Sequence, residues 1–466
     1  MNDFSGILGL EWRDNWRIEN GQESYVIPFP TVRPVNVVFH GERKFDYGHY
    51  GIHLGQSDRL TFLGPSAQVI TGHFIDCRKG SPKVHQRVIA QWHPTSGRAL
   101  YVPNGVAHAF DGLEGIFTLN DYRLFLPDPD KWLSGETNWT MENDVINLPM
   151  DVMDEGLPTV ESNMHEASEV FYHLVAQQQR QGIPQIDYEY PFTDDFQTEK
   201  GETVRLMFRR HNENTQYTPE WEPIEGIDDA GWSRHLVVHS GEHSGFVPLL
   251  DPRPFYIVDH DESSYSHDAY GIHLGQVDHL TFLGPSNQEV TLTLVDCRRH
   301  SRIYHRKVEV KFNPSPLRYL VIPNGVAHRF QNLEKVYTIN RPAIYTDNES
   351  EYEPGNDVID WPADRADFPM FEVSTKAASQ DFYSRQVQGQ RKLMQSQANQ
   401  ATPIVLLAQD SECNTVRVVL RKNLKGEAVS KTVSSDPNSI THSKLSRPTL
   451  HSRGTRQKRR APQFER

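Results

Sequence analysis

The chain has 466 residues, of which 23% are charged and 37% are hydrophobic, and its formal net charge is −13. The length predicts two or three domains, and so polar a composition, without a long apolar run, excludes an integral membrane protein. The first residues lack the basic and apolar segments of a secretory signal, so we expect a cytoplasmic protein. The acidic balance argues against broad binding to nucleic acid.

The three cysteines are Cys77, Cys297 and Cys413, and none of them lies in a CxxC motif. An odd number at such distances predicts neither a disulfide framework nor a cysteine zinc site. We interpret all three as ordinary half-buried thiols.

An internal repeat dominates the sequence. The stretch from Trp12 to Asn120 aligns without a gap onto Trp232 to Asn340, with about 46 identities in roughly 109 positions. Weaker likenesses follow at 143–149 and 356–362, at 168–180 and 379–391, and at 203–210 and 415–422. We therefore predict two domains, at 1–220 and 221–425, that pack as an internal pseudo-dimer. A further homo-oligomer stays open.

Each repeat is predicted to be mainly β. Segments such as VTLTLVDCR, KVEVKF, YLVIP and KVYTIN alternate apolar and polar residues or are rich in β-branched ones, as is typical of short antiparallel strands. This pattern indicates a β-sandwich or jelly roll. Next in chain order is an extension at about 160–215, where a helix after Ser168 precedes a closing strand. The apolar stripe of that helix predicts packing without chemistry, and it consists of Val170, Phe171, Leu174 and Val175.

The end of the chain differs from the rest in composition. From about Gly426 the periodicity is lost, and Ser, Thr, Pro and basic residues dominate. This composition predicts a disordered basic tail over 426–466. Its RQKRR segment at Arg456 could contact an anionic polymer, but a solvated tail is the simpler interpretation.

Four motifs occur in the same order in both repeats. They are G-I-H at 51–53 and 271–273, D-x-R at 76–78 and 296–298, P-x-G-x-A-H-x-F at 103–110 and 323–330, and N-D at 143–144 and 356–357. In this order they resemble the dTDP-4-dehydrorhamnose 3,5-epimerase family of RmlC-like cupins. The resemblance implies two RmlC-like cupin (jelly-roll) domains in tandem, each with a helix and strand extension.

The resemblance also implies an activity, which is proton abstraction next to the ketone of a nucleotide-linked 4-keto (deoxy)hexose. Such a reaction needs a base with a pKa near neutrality and a donor that holds the enolate. The family's base is the His of its G-L/I-H motif, oriented by a carboxylate. Carried over by position, the catalytic pairs are His53 with Asp144 and His273 with Asp357, without metal or bound cofactor.

The third motif implies a second histidine in each barrel mouth. His108 and His328 are expected to bind the substrate carbonyl or the developing enolate. A Pro-Asn-Gly turn alone would also explain the start of this motif, but matched histidines in both repeats favour a site.

Several positions depart from the family. The matching positions for its Arg, Lys and Tyr acid carry Tyr, Thr and Asn, and Asn cannot protonate a carbanion. A Tyr before G-I-H could replace the acid, or the reaction could stop at one centre and use water. A later Tyr is kept in the second repeat only, so we expect that repeat to act if only one does. The residues expected to contact substrate at these positions are Tyr50, Tyr270, Asn120, Asn340 and Tyr345.

Two alternatives come from other classes. One is a metal-dependent cupin oxygenase, which needs an H-x-H motif and a nearby Glu. His49 lies four residues before His53, but Ala269 stands there in the second repeat, and the nearby residues include Gln56 and Gln276 rather than Glu. The other is a non-catalytic sugar-binding or structural cupin, in which the acid and Lys were lost while the pocket histidines stayed.

Overall fold

The computed structural model divides the chain into two compact units, residues 1–388 and residues 389–466. Its described residues run from 4 to 434, with gaps that include 129–143, 177–191, 198–202, 209–214, 410–414 and 423–427. The gap-free aligned stretches of both repeats, 12–120 and 232–340, lie in the first unit, and we call residues up to 220 its first half and residues 221–388 its second half. The division into domains at residues 220 and 425 stays a prediction.

The first half is built almost entirely from short strands. Alternation of apolar and polar residues favours these strands. In Ile70–Asp76, for example, every second residue is buried at the start of the strand. The strands are β1 (Glu11–Asp14), β2 (Ile18–Glu19), β3 (Tyr25–Phe29), β4 (Val35–Phe39), β5 (His49–His53), β6 (Gln56–Leu63), β7 (Ile70–Asp76), β8 (Arg87–Trp92), β9 (Arg98–Val102), β10 (Val106–Asp111), β11 (Phe117–Asn120), β12 (Arg123–Leu126), β13 (Val145–Pro149), β14 (His165–Glu166), β15 (Phe192–Gln197), β16 (Thr203–Phe208) and β17 (Thr215–Gln216).

The second half repeats this order. Its strands are β18 (Trp221–Pro223), β19 (Gly231–Arg234), β20 (Val237–His239), β21 (Gly245–Leu249), β22 (Phe255–Asp259), β23 (Ala269–His273), β24 (Gln276–Leu283), β25 (Val290–Asp296), β26 (Lys307–Phe312), β27 (Ser315–Ile322), β28 (Val326–Gln331), β29 (Tyr337–Asn340), β30 (Ala343–Ile344) and β31 (Val358–Pro362).

Each half encloses an apolar core between two antiparallel sheets. In the first half, the five-stranded sheet β13-β5-β10-β7-β8 faces a larger sheet that contains β1, β9, β6, β11 and β4. Phe62 of the larger sheet contacts Trp92 and Phe110 of the smaller one, with ring centroids 5.4 Å and 5.5 Å apart. A matching cluster lies between β26-β25-β28-β23-β31 and its partner sheet. The predicted mainly β, jelly-roll fold is confirmed.

The two halves exchange strands. β3 of the first half pairs with β22 of the second, and β21 of the second half pairs with β4 of the first. Phe29 of β3 stacks on Phe255 of β22, with ring centroids 4.8 Å apart and planes inclined by 6°. The apolar cluster around them draws side chains from both halves, including Val37 and Ile339. The two repeats therefore share one continuous interface core inside the chain.

The helical segments are few. Residues 154–156 form a 3-10 turn, and a long α-helix spans Gln380–Ala401. In the predicted helix after Ser168, the described residues are helical, and Phe171 and Val175 are buried as the stripe requires, whereas Val170 and Leu174 lie outside the described residues. Among the described helices, none combines the length and apolar character that a membrane crossing requires.

The second unit contains a three-stranded antiparallel sheet. Its strands are β32 (Ile404–Gln409), β33 (Thr415–Lys422) and β34 (Ala428–Ser434). The prediction of a tail without structure from about 426 is therefore wrong over β34, where the sequence AVSKTVS spaces two valines so that the backbone can extend and pair with β33. The rest of the predicted tail, 435–466, lies outside the described residues.

The cysteines are more buried than the sequence suggested. Cys77 and Cys297 are free thiols with no exposed surface, so the half-buried interpretation is corrected for both. Burial raises the pKa of Cys77 to about 11, which keeps the thiol protonated and unreactive. Cys413 lies outside the described residues.

Candidate active site

A cavity of about 540 Å³ lies between the two sheets of the first half. Because alternate residues of a strand face opposite sides, β5, β6 and β10 each send every second side chain into it. The polar side chains that line it include Tyr47, His53, Asp58, His108 and Asn120. Three of these were expected from the sequence, namely His53, His108 and Asn120.

His53 and Asp144 form a hydrogen-bonded pair at one wall of this cavity. Asp144 directly precedes β13, whose first residue pairs in register with His53 of β5, so the topology brings the two side chains together. His53 Nδ1 lies 2.9 Å from Asp144 Oδ2, and the other carboxylate oxygen accepts the backbone N–H of Gly55. Asp144 is buried, whereas about a quarter of the His53 side chain is exposed. The carboxylate thus fixes the ring and leaves Nε2 free to face the cavity.

His108 faces a second buried carboxylate, that of Asp58. His108 Nε2 lies 3.3 Å from Asp58 Oδ2, and His108 Nδ1 donates to the carbonyl oxygen of Val106 at 3.2 Å. The other oxygen of Asp58 accepts hydrogen bonds from the side-chain amides of Gln56 (2.7 Å) and Asn120 (2.8 Å). The expected substrate ligand Asn120 therefore serves here to hold Asp58.

The two histidines of the cavity differ in pKa. Burial lowers the pKa of His53, but its hydrogen bond to Asp144 and the charges of Asp58 and Asp144 outweigh burial and raise it to about 8. Burial lowers the pKa of His108, and the neighbouring His53 lowers it further against the pull of Asp58. Their ring centroids are 5.8 Å apart. Two adjacent imidazoles with separated pKa values are a typical arrangement for acid and base roles.

The second half repeats the arrangement with longer distances. His273 Nδ1 lies 3.8 Å from Asp357 Oδ2, which instead accepts the backbone N–H groups of Gly275 (3.0 Å) and Gln276 (2.9 Å). His328 Nε2 lies 3.5 Å from Asp278 Oδ2. Burial lowers the pKa of His273, but Asp278 and Asp357 raise it above its ordinary value. The pair expected from the sequence is thus brought together, but without the direct hydrogen bond of the first half.

Asn340 in the second half has two partners. Its side-chain amide donates to Asp278 at 2.8 Å and to the hydroxyl of Tyr256 at 2.7 Å. Tyr256 was not predicted, because its counterpart in the first repeat is Asn36 and no motif includes it. Tyr345, which was predicted, donates its backbone N–H to Gly275.

Tyr50 and Tyr270 lie on the wrong face of their strands to contact a ligand in the cavity. Tyr50 is three residues from His53 on β5, and an odd separation puts two side chains of a strand on opposite faces. It packs in the apolar cluster with Ile52 and Cys77, and Tyr270 packs in the equivalent cluster. The expected substrate contact and replacement acid are corrected for both residues.

Asp58 and Asp278 are the functional candidates that the motifs missed. Both are almost fully buried, and they occupy equivalent positions between the repeated segments HLGQ and LTFLGPS. An acidic residue at the same place in both copies of a predicted strand is a signal, because burying a carboxylate without partners is costly. The signal was available, but the sequence does not show which side chains would face it.

Each half groups three side chains that could hold a metal ion. In the first half these are His53, Asp58 and His108, whose ligand atoms all lie within 4.8 Å of one another, and an equivalent group occurs in the second half. Two imidazoles and one carboxylate with open positions are typical of non-haem iron sites. The sequence counted two histidines per barrel and missed the carboxylate that completes the group.

Comparisons with known proteins give likenesses to solved structures alone. No family model and no curated protein matches the chain. The solved structures that it resembles are mostly dTDP-4-dehydrorhamnose 3,5-epimerases. The one from Elizabethkingia anophelis is 17% identical, with 33% of this chain and 97% of that chain covered at a TM-score of 0.21. The one from Sulfolobus tokodaii is 20% identical, with 35% and 98% covered at a TM-score of 0.22.

Vicilin from Capsicum annuum is 10% identical, with 71% of this chain and 84% of that chain covered at a TM-score of 0.23. Likenesses at this level carry no argument about activity. Activity is therefore inferred from the motifs and from the site's own residues.

Proposed function

We propose that the first half removes and returns a proton on the carbon beside the ketone of a nucleotide-linked 4-keto (deoxy)hexose. The observation that carries this proposal is the His53–Asp144 pair, hydrogen-bonded at 2.9 Å and facing a cavity of about 540 Å³. The substrate class comes from the resemblance of the four motifs to the epimerase family.

In this reaction His53 is the base. Its Nε2 takes the proton from the α-carbon, and Asp144 stabilises the imidazolium that forms. The electron pair of the broken C–H bond moves into the carbonyl, which becomes an enolate oxygen. Return of a proton to the opposite face of the carbon inverts the centre, and return to the same face restores it.

The enolate needs a hydrogen-bond donor. Nδ1 of His108 carries a proton, because it donates to a backbone carbonyl. In the neutral ring Nε2 is then unprotonated, and its lone pair faces Asp58 Oδ2 at 3.3 Å. Because its lowered pKa keeps His108 neutral at pH 7, its Nε2 does not supply this donor. The hydroxyl of Tyr47 lines the same cavity and lies 3.3 Å from His40 Nε2. Desolvation in the cavity and the charge of Asp58 raise its pKa to about 12, so it is protonated and is the group we assign to hold the enolate and return a proton.

The first half supports this chemistry better than the second. Its base and carboxylate are in direct contact, whereas the distance is 3.8 Å for His273 and Asp357. The expectation that favoured the second half depended on Tyr345, which nothing among the described contacts brings to His273. We therefore assign the main activity to the first half.

Solvent exchange tests the proposal. A panel of 4-keto nucleotide sugars is incubated with the protein in heavy water, and deuterium uptake is read by mass. We expect uptake with the wild type and a loss of about 100-fold or more in His53→Gln, in line with the contribution of a general base. His73→Gln is the matched control, since His73 also pairs with a carboxylate, Asp111 at 2.7 Å, but does not line the cavity.

Two results would contradict the proposal. One is no exchange with any sugar, which would leave the non-catalytic sugar-binding alternative. The other is an unchanged exchange rate in His53→Gln.

A metal-dependent reaction is the second candidate, and the group of His53, Asp58 and His108 favours it. A cation bound to His108 Nε2 and Asp58 Oδ2 would also resolve the contact between two acceptors, and it would take His53 Nε2 as a third ligand. His53 could then no longer act as the base. The two candidates are separated by chelation: proton exchange that survives exhaustive removal of metal supports the base, and a metal content near one ion per half, with loss of activity on chelation, supports the metal.

A further inference from the structure

A second cavity, of about 320 Å³, lies in the second half on the other side of β24. His279 and Thr281 of β24 line it, whereas Asp278 between them on the strand belongs to the site described above. Successive side chains of a strand face opposite sides, so the two sites are separated by the sheet. This cavity takes no part in the proposed proton transfer.

The cavity is rich in positive charge. Arg234, Arg253 and Arg341 line it, and among the described residues around it Asp251 is the acidic one. Arg341 is only 6% exposed. Arg253 donates to Asp251 at 3.1 Å, but more than half of the Asp251 side chain is exposed, so this carboxylate lies at the rim.

In the first half, a carboxylate stands at the centre of the equivalent place. There Arg33 donates to Asp121 at 2.9 Å, and Arg59 donates to the other oxygen of Asp121 at 3.2 Å. Asp121 is 7% exposed, so a buried carboxylate sits between the two guanidinium groups. Such a pair of charge-assisted contacts satisfies both arginines.

In the second half, an arginine replaces that carboxylate. Arg341 occupies the position equivalent to Asp121. Arg341 directly follows β29 and donates its backbone N–H to the carbonyl of His279 at 3.0 Å, and Asp121 directly follows β11 and donates its backbone N–H to the carbonyl of Arg59 at 3.1 Å. Arg253 is equivalent to Arg33. The exchange reverses the central charge while one of the surrounding arginines is kept.

The two outer positions together add a further positive charge. Arg234 replaces Asp14 of the first repeat, whereas Asp251 replaces Thr31. Taken together, the equivalent positions carry no net charge in the first half and about two positive charges in the second at neutral pH. This excess of positive charge, at one of two otherwise matched places, points to an anionic ligand.

The uncharged lining completes a polar site. His235 Nε2 lies 2.8 Å from the hydroxyl of Thr281. Burial, followed by the charge of Arg341, lowers the pKa of His235 to about 3, and burial, followed by Arg253, lowers the pKa of His279 to about 4. Both imidazoles are therefore neutral at pH 7, so the positive charge comes from the arginines, which suit oxyanions because of their planar donor pairs.

We propose that this cavity binds a phosphate-type oxyanion between Arg253 and Arg341, at the place where Asp121 supplies the carboxylate in the first half. The volume accommodates a phosphate or diphosphate group, either free or carried by a larger molecule. The site is independent of the proton-transfer reaction, so each can fail without the other.

Binding of inorganic phosphate and of pyrophosphate to the full-length protein tests the proposal by titration calorimetry at low ionic strength. We expect one saturable site per chain, since the equivalent place in the first half carries its own carboxylate. Arg341→Asp should weaken binding about tenfold or more. This variant recreates the charge pattern of the first half, so it should fold.

Further variants make the result specific. Arg253→Gln is expected to weaken binding to a similar extent. Arg299→Gln removes a positive charge from an exposed pair with Glu372 elsewhere in the same half and should leave affinity within about twofold. A nucleoside diphosphate that competes with pyrophosphate would identify a carried diphosphate as the source, and a failure to compete would identify the free anion. No saturable binding, two equal sites per chain, or equal effects of Arg299→Gln and Arg253→Gln would overturn the proposal.

Discussion

At the scale of single residues, the site depends on which side of a strand a side chain faces. His53 and Tyr50 belong to one short motif, yet only His53 reaches the cavity. The motif order was enough to predict the pairs His53–Asp144 and His273–Asp357. It could not reveal Asp58, because a buried carboxylate becomes recognisable as part of a site only when the residues opposite it in the barrel are known.

The pKa of His53 is the property on which its role depends. Replacing Asp144 by Asn removes the charge but keeps the size, so the pKa of His53 should fall from about 8 towards the ordinary value of 6.5 or below. NMR titration of the imidazole resonances measures this in the free protein. Asp357→Asn is the matched control in the second half and should leave His53 unchanged. A pKa that stays near 8 in Asp144→Asn would show that the carboxylate does not control the ring.

At the scale of elements, the exchanged strands decide how the two repeats are joined. The apolar sequence YVIPF of β3 is typical of a buried strand, but it does not specify which sheet the strand joins. β3 is close in sequence to β4, yet it pairs with β22 of the other half. The internal pseudo-dimer was predicted from the duplication alone, whereas the exchange that builds it required the three-dimensional pairing.

The shared core predicts joint unfolding of the two halves. Phe29 is 2% exposed and stacks on Phe255, so Phe29→Ala should cost about 3–5 kcal/mol of unfolding free energy. Chemical denaturation followed by tryptophan fluorescence should show one transition that moves to lower denaturant, because Trp92 and Trp232 report on different halves. The control is Ile89→Ala, at a residue 68% exposed, with an expected change within about 0.5 kcal/mol. Two separate transitions, of which only one moves, would contradict a shared core.

At the scale of the whole molecule, buried neutral histidines make the stability depend on pH. Burial is the main cause that lowers their pKa values, to about 3 for two of them and about 4 for the other three. These residues are His40, His235, His260, His267 and His279. In the unfolded chain they take up protons near pH 6.5, whereas in the folded chain they stay neutral until a much lower pH. Stability is therefore lost as the pH falls from about 6.5 towards 4.

Thermal unfolding measures this dependence. Between pH 7 and pH 5 we expect the melting temperature to fall by on the order of 10 °C. His53 acts in the opposite direction, since its raised pKa stabilises the fold below pH 6.5 and this contribution is lost above about pH 8. His235→Asn copies the Asn15 of the first repeat and should reduce the fall in melting temperature. A melting temperature that is flat or rises towards pH 5 would contradict the burial of neutral imidazoles.

The central claim is that His53, held by Asp144, removes a proton from the sugar. The pH dependence of deuterium exchange into a 4-keto nucleotide sugar tests it most directly. Because the base acts in its neutral form, kcat/KM for exchange should rise with pH and level off above about 8, and the midpoint should move to lower pH in Asp144→Asn. An exchange rate that falls over this range, or a midpoint that is the same in both proteins, would contradict the account.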